Sequence, residues 1–100
     1  MNGRCLKKVS EFMNTVLITG TTSGIGEAFA KKFVLEGYNV ILVARNHEKL
    51  RLQAKELSTN RNIKYITCDL NNENAVNIIE QSIKDWNVTI DILINNAGFK

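Results

Sequence analysis

The sequence has 100 residues, of which 44% are hydrophobic and 23% are charged, and its formal net charge at pH 7 is +3. This length fits one small domain, and the apolar content excludes a wholly disordered chain. No apolar run approaches the roughly 18 residues of a membrane-spanning helix, so we expect no membrane partner. Residues 1–12 carry three basic residues and one acidic residue, which leaves a net charge of only +1 on residues 13–100 and argues against a nucleic-acid partner.

The first segment, residues 1–12, shows neither strand nor helix periodicity, and it lacks the apolar stretch of a secretory signal. We interpret it as a disordered or extra N-terminal tail that precedes a domain over residues 13–100. The two cysteines, Cys5 and Cys68, form no Cys-x-x-Cys motif, and His47 is the only histidine. These residues predict no metal site, and this cysteine usage favours a reducing, cytoplasmic location.

Four short runs rich in β-branched residues predict four strands, at residues 15–19, 39–44, 63–68 and 90–94. Two of these runs contain continuous apolar stretches, at Val16–Ile18 and Val40–Ala44. Strands that are apolar on both faces are typical of a parallel sheet with helices on both sides. The pattern therefore predicts an α/β fold.

The segments between the predicted strands repeat apolar residues at helical spacing, which predicts three helices. These residues are Ile25, Phe29 and Phe33, then Leu50, Ala54 and Leu57, then Ala75, Ile79, Ile83 and Trp86. Gly37 is placed to end the first helix, and the absence of proline leaves every segment uninterrupted. Right-handed crossovers then give a β-α-β-α-β-α-β chain with strand order 3-2-1-4, which is a partial Rossmann fold with a doubly wound parallel sheet.

The first predicted strand runs directly into a glycine-rich turn, Thr19–Gly26, with the sequence TGTTSGIG. Its glycines allow a sharp turn and the close approach of a ligand, while the free N–H groups and the dipole of the following helix favour a diphosphate. Thr21, Thr22 and Ser23 add hydroxyl groups around that anion. A loop that merely caps the helix is the alternative. The turn lacks the lysine of a G-x-x-x-x-G-K-[ST] loop, so a nucleoside triphosphatase is disfavoured.

The turn resembles the T-G-x-x-x-G-x-G signature of the short-chain dehydrogenase/reductase family. Two further motifs of that family stand at predicted strand ends, Asp69-Leu70 after the third strand and Asn95-Asn96-Ala97-Gly98 after the fourth. The three motifs occur in the family's order and cover residues 14–98. The resemblance implies the N-terminal, cofactor-binding half of a dinucleotide-binding domain.

The resemblance also implies a cofactor site that draws on these motifs and on the end of the second strand. Its candidate residues are Gly20, Thr21, Ser23, Gly24, Ile25, Gly26, Arg45, Asp69, Leu70, Asn96, Ala97 and Gly98. In the family pattern Asp69 accepts a hydrogen bond from the adenine amino group beside the Leu70 backbone, although Asp69 could instead be the N-cap of the third helix. Asn96 would mainly stabilise the sheet, with Ala97 at the cofactor ribose.

The end of the second strand distinguishes NAD from NADP. An acidic side chain there would bind the ribose diol, whereas a cation would attract a 2′-phosphate. Ala44 offers no carboxylate, and Arg45 can pair with the phosphate and stack on adenine. We therefore predict NADP in preference to NAD, with an ordinary exposed arginine as the alternative. The missing acid also argues against an S-adenosylmethionine methyltransferase.

The family transfers hydride between a nicotinamide and a carbonyl or alcohol, with a Ser and a Tyr-x-x-x-Lys pair as catalytic groups. The fourth residue after Tyr38 or Tyr65 is not lysine, so no catalytic residue is assigned. Two hypotheses follow. The chain is a truncated N-terminal part of an NADP-dependent oxidoreductase acting on a small molecule, or a non-catalytic truncated NADP-binding module or gene remnant. The apolar run Ile90–Ile94 would form an exposed sheet edge and predicts self-association.

Overall fold

The computed structural model describes residues 14–58 and 63–96, so the predicted tail at residues 1–12 lies outside the described residues. Strands and helices alternate along the described chain. The strands are β1 (Thr15–Thr19), β2 (Asn39–Ala44), β3 (Ile63–Thr67) and β4 (Ile92–Ile94), and the helices are α1 (Gly24–Leu35), α2 (His47–Leu57) and α3 (Ala75–Trp86). None of these helices is long and apolar enough to span a bilayer.

The four strands form one parallel sheet in the order β3-β2-β1-β4. β1 lies inside the sheet, where Leu17 pairs with Ile41 on one side and with Leu93 on the other. The predicted α/β fold and strand order are therefore confirmed. β3 ends at Thr67, one residue earlier than predicted, because Cys68 keeps a single backbone hydrogen bond to β2 where the chain leaves the sheet.

β4 begins two residues later than predicted, because the side chain of Asp91 takes part in the pairing with β1. Asp91 Oδ2 accepts a hydrogen bond from the Thr15 N–H at 2.9 Å, and the Asp91 N–H donates to the Thr15 carbonyl at 2.9 Å. A carboxylate thus occupies the place of a backbone acceptor at the start of β1. Regular pairing begins only with Val16 and Ile92.

Side chains of the sheet alternate between two packed layers, as successive residues of a strand point to opposite faces. On one face α1 and α2 cover Val16, Ile18, Val40 and Leu42. On the other face α3 covers Leu17, Ile41, Val43 and Ile66. Helices on both faces explain why β1 and β2 are continuously apolar.

The packed face of α1 differs from the apolar positions that predicted the helix. Ile25 is 67% exposed and Phe29 is 37% exposed, whereas the buried residues of α1 are Gly26 and Ala30. Phe33 alone of the predicted trio packs against the core. Small residues on the inner face let α1 lie close to the sheet, and the larger apolar residues are displaced toward its rim.

Candidate functional site

The carboxyl ends of the strands border a cavity of about 540 Å³, within the usual range for small-molecule sites. In a doubly wound sheet this is the edge at which ligands bind. The lining residues come from the glycine-rich turn, the ends of β2 and β3, and the segment after β4. They are Gly20, Thr22, Ser23, Gly24, Ile25, Val43, Ala44, Arg45, Cys68, Asp69, Leu70, Asn71 and Asn96.

Gly20 makes the sharp turn that separates β1 from α1. Its φ is +69°, a left-handed conformation that favours glycine. The Gly20 N–H donates to the Val43 carbonyl at 2.8 Å, so the turn is anchored to the end of β2. The turn also closes on itself, because the Ser23 N–H donates to the Gly20 carbonyl at 3.1 Å.

Ser23 is the N-cap of α1. Its Oγ accepts a hydrogen bond from the Gly26 N–H at 3.3 Å and donates to the Gly20 carbonyl at 2.8 Å. The N–H groups of Gly24 and Ile25 make no hydrogen bond within the described residues, as expected for the first turn of a helix. Both residues line the cavity, so this helix end offers unpaired donors and a positive dipole to an anion.

Gly24 and Gly26 differ in the space around them. A Cβ at Gly24 would meet no atom within 4 Å, since this residue borders the open cavity. A Cβ at Gly26 would lie 2.1 Å from the Gly20 carbonyl oxygen and 2.9 Å from Asn96 Nδ2. Gly26 is therefore required by packing, and it does not itself line the cavity.

Among the candidate residues that the structure describes, Thr21 is the other one that does not line the cavity. It is fully buried, and its carbonyl accepts a hydrogen bond from Gln53 Nε2 at 2.7 Å. The next residue, Thr22, lines the cavity in its place. The sequence indicates a hydroxyl at Thr22, but Thr22 is not among the candidate residues named above. Nothing in the sequence distinguishes Gln53 from an ordinary helix residue.

Asn96 joins the end of β4 to the glycine-rich turn. Its Nδ2 donates to the Gly20 carbonyl at 3.2 Å and to Ser23 Oγ at 3.1 Å. Its N–H donates to Thr19 Oγ1 at 2.9 Å. These contacts attach the residue after β4 to the end of β1 and to the glycine-rich turn, whereas Ala97 and Gly98 lie outside the described residues.

Arg45 follows β2 directly and lines the same cavity as the glycine-rich turn. The residue is exposed and makes no ion pair within residues 14–58 and 63–96. Ala44, the position where a ribose-binding acid would stand, is buried and apolar. At the end of β2 the cavity therefore presents a cation that is not paired with any carboxylate of the described residues.

Asp69 and Leu70 line the cavity beyond β3. Asp69 Oδ1 accepts a hydrogen bond from the Asn71 N–H at 3.0 Å, and its second carboxylate oxygen makes none within the described residues. The alternative that Asp69 caps the third helix is wrong, because α3 begins at Ala75 and its N-cap is Asn74. Asp69 is therefore available to a ligand.

Cys68 lines the cavity without being predicted to do so. Burial raises the pKa of the Cys68 thiol, and the neighbouring charge of Asp69 acts in the same direction. The thiol is thus neutral at physiological pH and is a poor nucleophile. His47, the only histidine of the sequence, is exposed in the first turn of α2, with its Nδ1 2.8 Å from Thr67 Oγ1.

Comparison with known proteins bears on this site. The model of the short chain dehydrogenase family matches residues 14–100. Serine 3-dehydrogenase of Agrobacterium fabrum is 43% identical over 84 residues, which are 84% of this chain and 33% of that protein. The NADPH-dependent pterin aldehyde reductase of Arabidopsis thaliana is 38% identical over 84% of this chain and 35% of its own length.

Solved structures agree with the sequence relatives. The L-sorbose reductase from Gluconobacter frateurii, complexed with NADPH and L-sorbose, superimposes with a TM-score of 0.80 at 32% identity, over 87% of this chain and 34% of that one. A short-chain dehydrogenase from Sphingobium yanoikuyae in complex with NADPH gives a TM-score of 0.74 at 34% identity, over 84% of this chain and 33% of that one. This chain spans about a third of the length of these relatives. The glycine-rich turn, the sheet order and these matches together show that the chain belongs to the short-chain dehydrogenase family.

Proposed function

We propose that the chain binds NADP(H) in the cavity and forms the nucleotide-binding part of an oxidoreductase. In such an enzyme the cofactor exchanges a hydride with a small-molecule carbonyl or alcohol. The residues present fit this group. The open space beside Gly24 admits a phosphate, and unpaired N–H groups of the first turn of α1 face the same cavity.

The observation that carries the proposal is the position of Arg45 beside the glycine-rich turn in one cavity. A dinucleotide whose diphosphate lies at α1 extends its adenosine ribose toward the end of β2. The guanidinium of Arg45 can pair there with a 2′-phosphate, and Ala44 offers no acceptor to an unphosphorylated ribose. The names of relatives support the same cofactor, since they include an NADPH-dependent reductase and two NADPH complexes.

The remaining candidate residues have separate roles in this proposal. Gly20, Ser23, Gly24 and Ile25, the candidate residues of the turn that line the cavity, hold the diphosphate. Asp69 and Leu70 bind adenine. Asn96 holds the turn in place, and Gly26 keeps α1 close to it. Ala97 remains the proposed contact of the cofactor ribose, and Gly98 is proposed to leave room for the cofactor.

The proposal assigns cofactor binding to these 100 residues and leaves proton transfer to other groups. Neither Tyr38 nor Tyr65 is followed by lysine at the fourth position, so the sequence contains no Tyr-x-x-x-Lys pair. Both tyrosines also lie outside the residues that line the cavity.

Titration of the protein with NADPH and NADH, followed by cofactor fluorescence, tests the assignment. We expect tighter binding of NADPH. Arg45→Ala should weaken NADPH binding by about 1 to 3 kcal/mol and leave NADH nearly unaffected, because only NADPH carries the 2′-phosphate. Arg51→Ala is the matched control, since Arg51 is an exposed arginine of α2 already paired with Glu48. Equal affinity of the parent for the two cofactors would contradict the proposal.

Location, nucleic-acid binding and self-association also remain proposals. The free, buried thiol of Cys68 favours the reducing cytoplasm. Helix cations paired with carboxylates, as Lys31 is with Glu27, disfavour a nucleic-acid partner. Self-association is proposed through β4, because one edge of this strand has no partner strand among the described residues.

A further inference from the structure

Gln53 is a buried polar residue on a helix whose other buried residues are apolar. The latter are Leu50, Ala54 and Leu57. Gln53 Oε1 has no hydrogen-bond partner within the described residues, and the same is true of the buried Thr21 Oγ1. Unpaired buried polar atoms lower stability, so an apolar residue would suit this core better. The role of Gln53 must therefore come from the one hydrogen bond that its side chain makes among the described residues.

That hydrogen bond fixes the peptide group between Thr21 and Thr22. Gln53 Nε2 donates to the Thr21 carbonyl at 2.7 Å, which holds the carbonyl toward α2. In a trans peptide the C=O and the N–H point in opposite directions. The Thr22 N–H is therefore directed away from the buried side of the turn.

The Thr22 N–H is available to a ligand. Thr22 lines the cavity, and its N–H makes no hydrogen bond within the described residues. The N–H groups of Gly20, Thr21 and Ser23 in the same turn are all occupied by backbone carbonyls. Among residues 20–23, only the Thr22 N–H is therefore free to donate a hydrogen bond to an anion.

We propose that Gln53 is a positioning residue that aims the Thr22 N–H at a phosphate group of the bound dinucleotide. The inference rests on the proposed function, because it requires a phosphate in the cavity. The phosphate belongs to the diphosphate or to the 2′-phosphate, and the two cofactors distinguish these sources.

Gln53→Met tests the inference, because methionine has the length of glutamine but no donor. We expect the affinity for NADPH to fall about tenfold, the usual effect of losing a hydrogen bond to a charged group. We expect a modest fall in the thermal midpoint of the free protein, because the Thr21 carbonyl loses its donor while removal of the unpaired Oε1 offsets part of that cost. A parallel loss for NADH assigns the Thr22 N–H to the diphosphate, and a loss confined to NADPH assigns it to the 2′-phosphate.

Gln81→Met is the matched control, because Gln81 is an exposed residue of α3 whose side chain bonds only to Asp85 among the described residues. Unchanged affinity in Gln53→Met, or an affinity loss matched by a large drop in the midpoint, would overturn the inference. If the variant does not fold, the inference is tested on the parent protein by nuclear magnetic resonance of the Thr22 amide proton. Its resonance should move downfield on NADPH addition, and a stationary resonance overturns the inference. A parent that binds neither cofactor refutes the proposed function instead.

Discussion

The two helix glycines of the turn show how one residue type meets two needs. Gly24 borders open space that we assign to the diphosphate, whereas Gly26 lies against the Gly20 carbonyl and the Asn96 amide. A side chain at the first position would compete with the ligand. A side chain at the second would separate α1 from the turn and from the end of β4.

We predict that Gly24→Val abolishes cofactor binding while the protein stays folded. The new side chain enters the space needed by the diphosphate but meets no protein atom at its Cβ. Gly26→Ala should instead lower the free energy of unfolding by about 1 to 3 kcal/mol, the usual cost of overpacking. NADPH titration and urea denaturation of both variants separate the two effects, and retained affinity in Gly24→Val would show that the phosphate lies elsewhere.

For single residues of the glycine-rich turn, the sequence predicts the residue types well but not the direction of each side chain. Gly20, Ser23 and Gly24 follow from the motif, because a tight turn, a helix cap and a ligand approach each demand a particular residue type. Thr21 and Thr22 are chemically alike. Which of them faces the cavity depends on the left-handed Gly20 and on a hydrogen bond from Gln53, 32 residues away.

At the scale of elements, β4 is a three-residue strand held by side chains at both of its ends. Before it, Asp91 bonds to Thr15 at the start of β1. After it, Asn96 bonds to Thr19 and to the glycine-rich turn. So short a strand gains few backbone hydrogen bonds, and these side chains extend its attachment to the sheet.

Replacement of Asp91 by alanine should therefore destabilise the protein. The change leaves the Thr15 N–H without its acceptor and should lower the free energy of unfolding by about 1 to 3 kcal/mol. Urea denaturation followed by circular dichroism measures the difference. Asp85→Ala is the control, because the side chain of Asp85 accepts a hydrogen bond only from the exposed Gln81 in the part of the chain that the structure describes. Equal stability of the two variants would contradict the role of Asp91.

Element boundaries and helix faces were predictable to different degrees. The bounds of β1 and β2 match, because both strands are continuous apolar runs that end at polar or glycine residues. The inner face of α1 was not predictable from apolar spacing. Close approach to the sheet selects Gly26 and Ala30, and Ile25 is exposed because it lines the cavity.

At the scale of the whole molecule, the two edges of the sheet differ in their protection. Lys64 lies in the edge strand β3, with its Nζ 5.2 Å from the ring centre of Trp86. An edge lysine discourages pairing with another sheet. β4 carries no charge, and its central residue, Leu93, is 64% exposed. We therefore place the proposed self-association at β4.

Leu93→Lys should reduce this self-association, since a charge on an edge strand opposes pairing with a second copy. Sedimentation velocity at micromolar concentration should show a shift of the parent's larger species toward monomer. The control is Leu35→Lys, because Leu35 is 85% exposed at the end of α1 and away from the edge. A parent that sediments as a stable monomer would refute the self-association and leave the cofactor proposal untouched.

The contacts that shape the glycine-rich turn also set an order in time. During synthesis at about 5 to 20 residues per second, Asn96 follows Gly20 after roughly 4 to 15 seconds, since the two are 76 residues apart. The Ser23 cap can form almost at once, and the anchors at Val43 and Gln53 come next. The turn is therefore complete only after Asn96 has been synthesised. A pause in translation before residue 96 would prolong the interval in which the nascent cofactor site is incomplete.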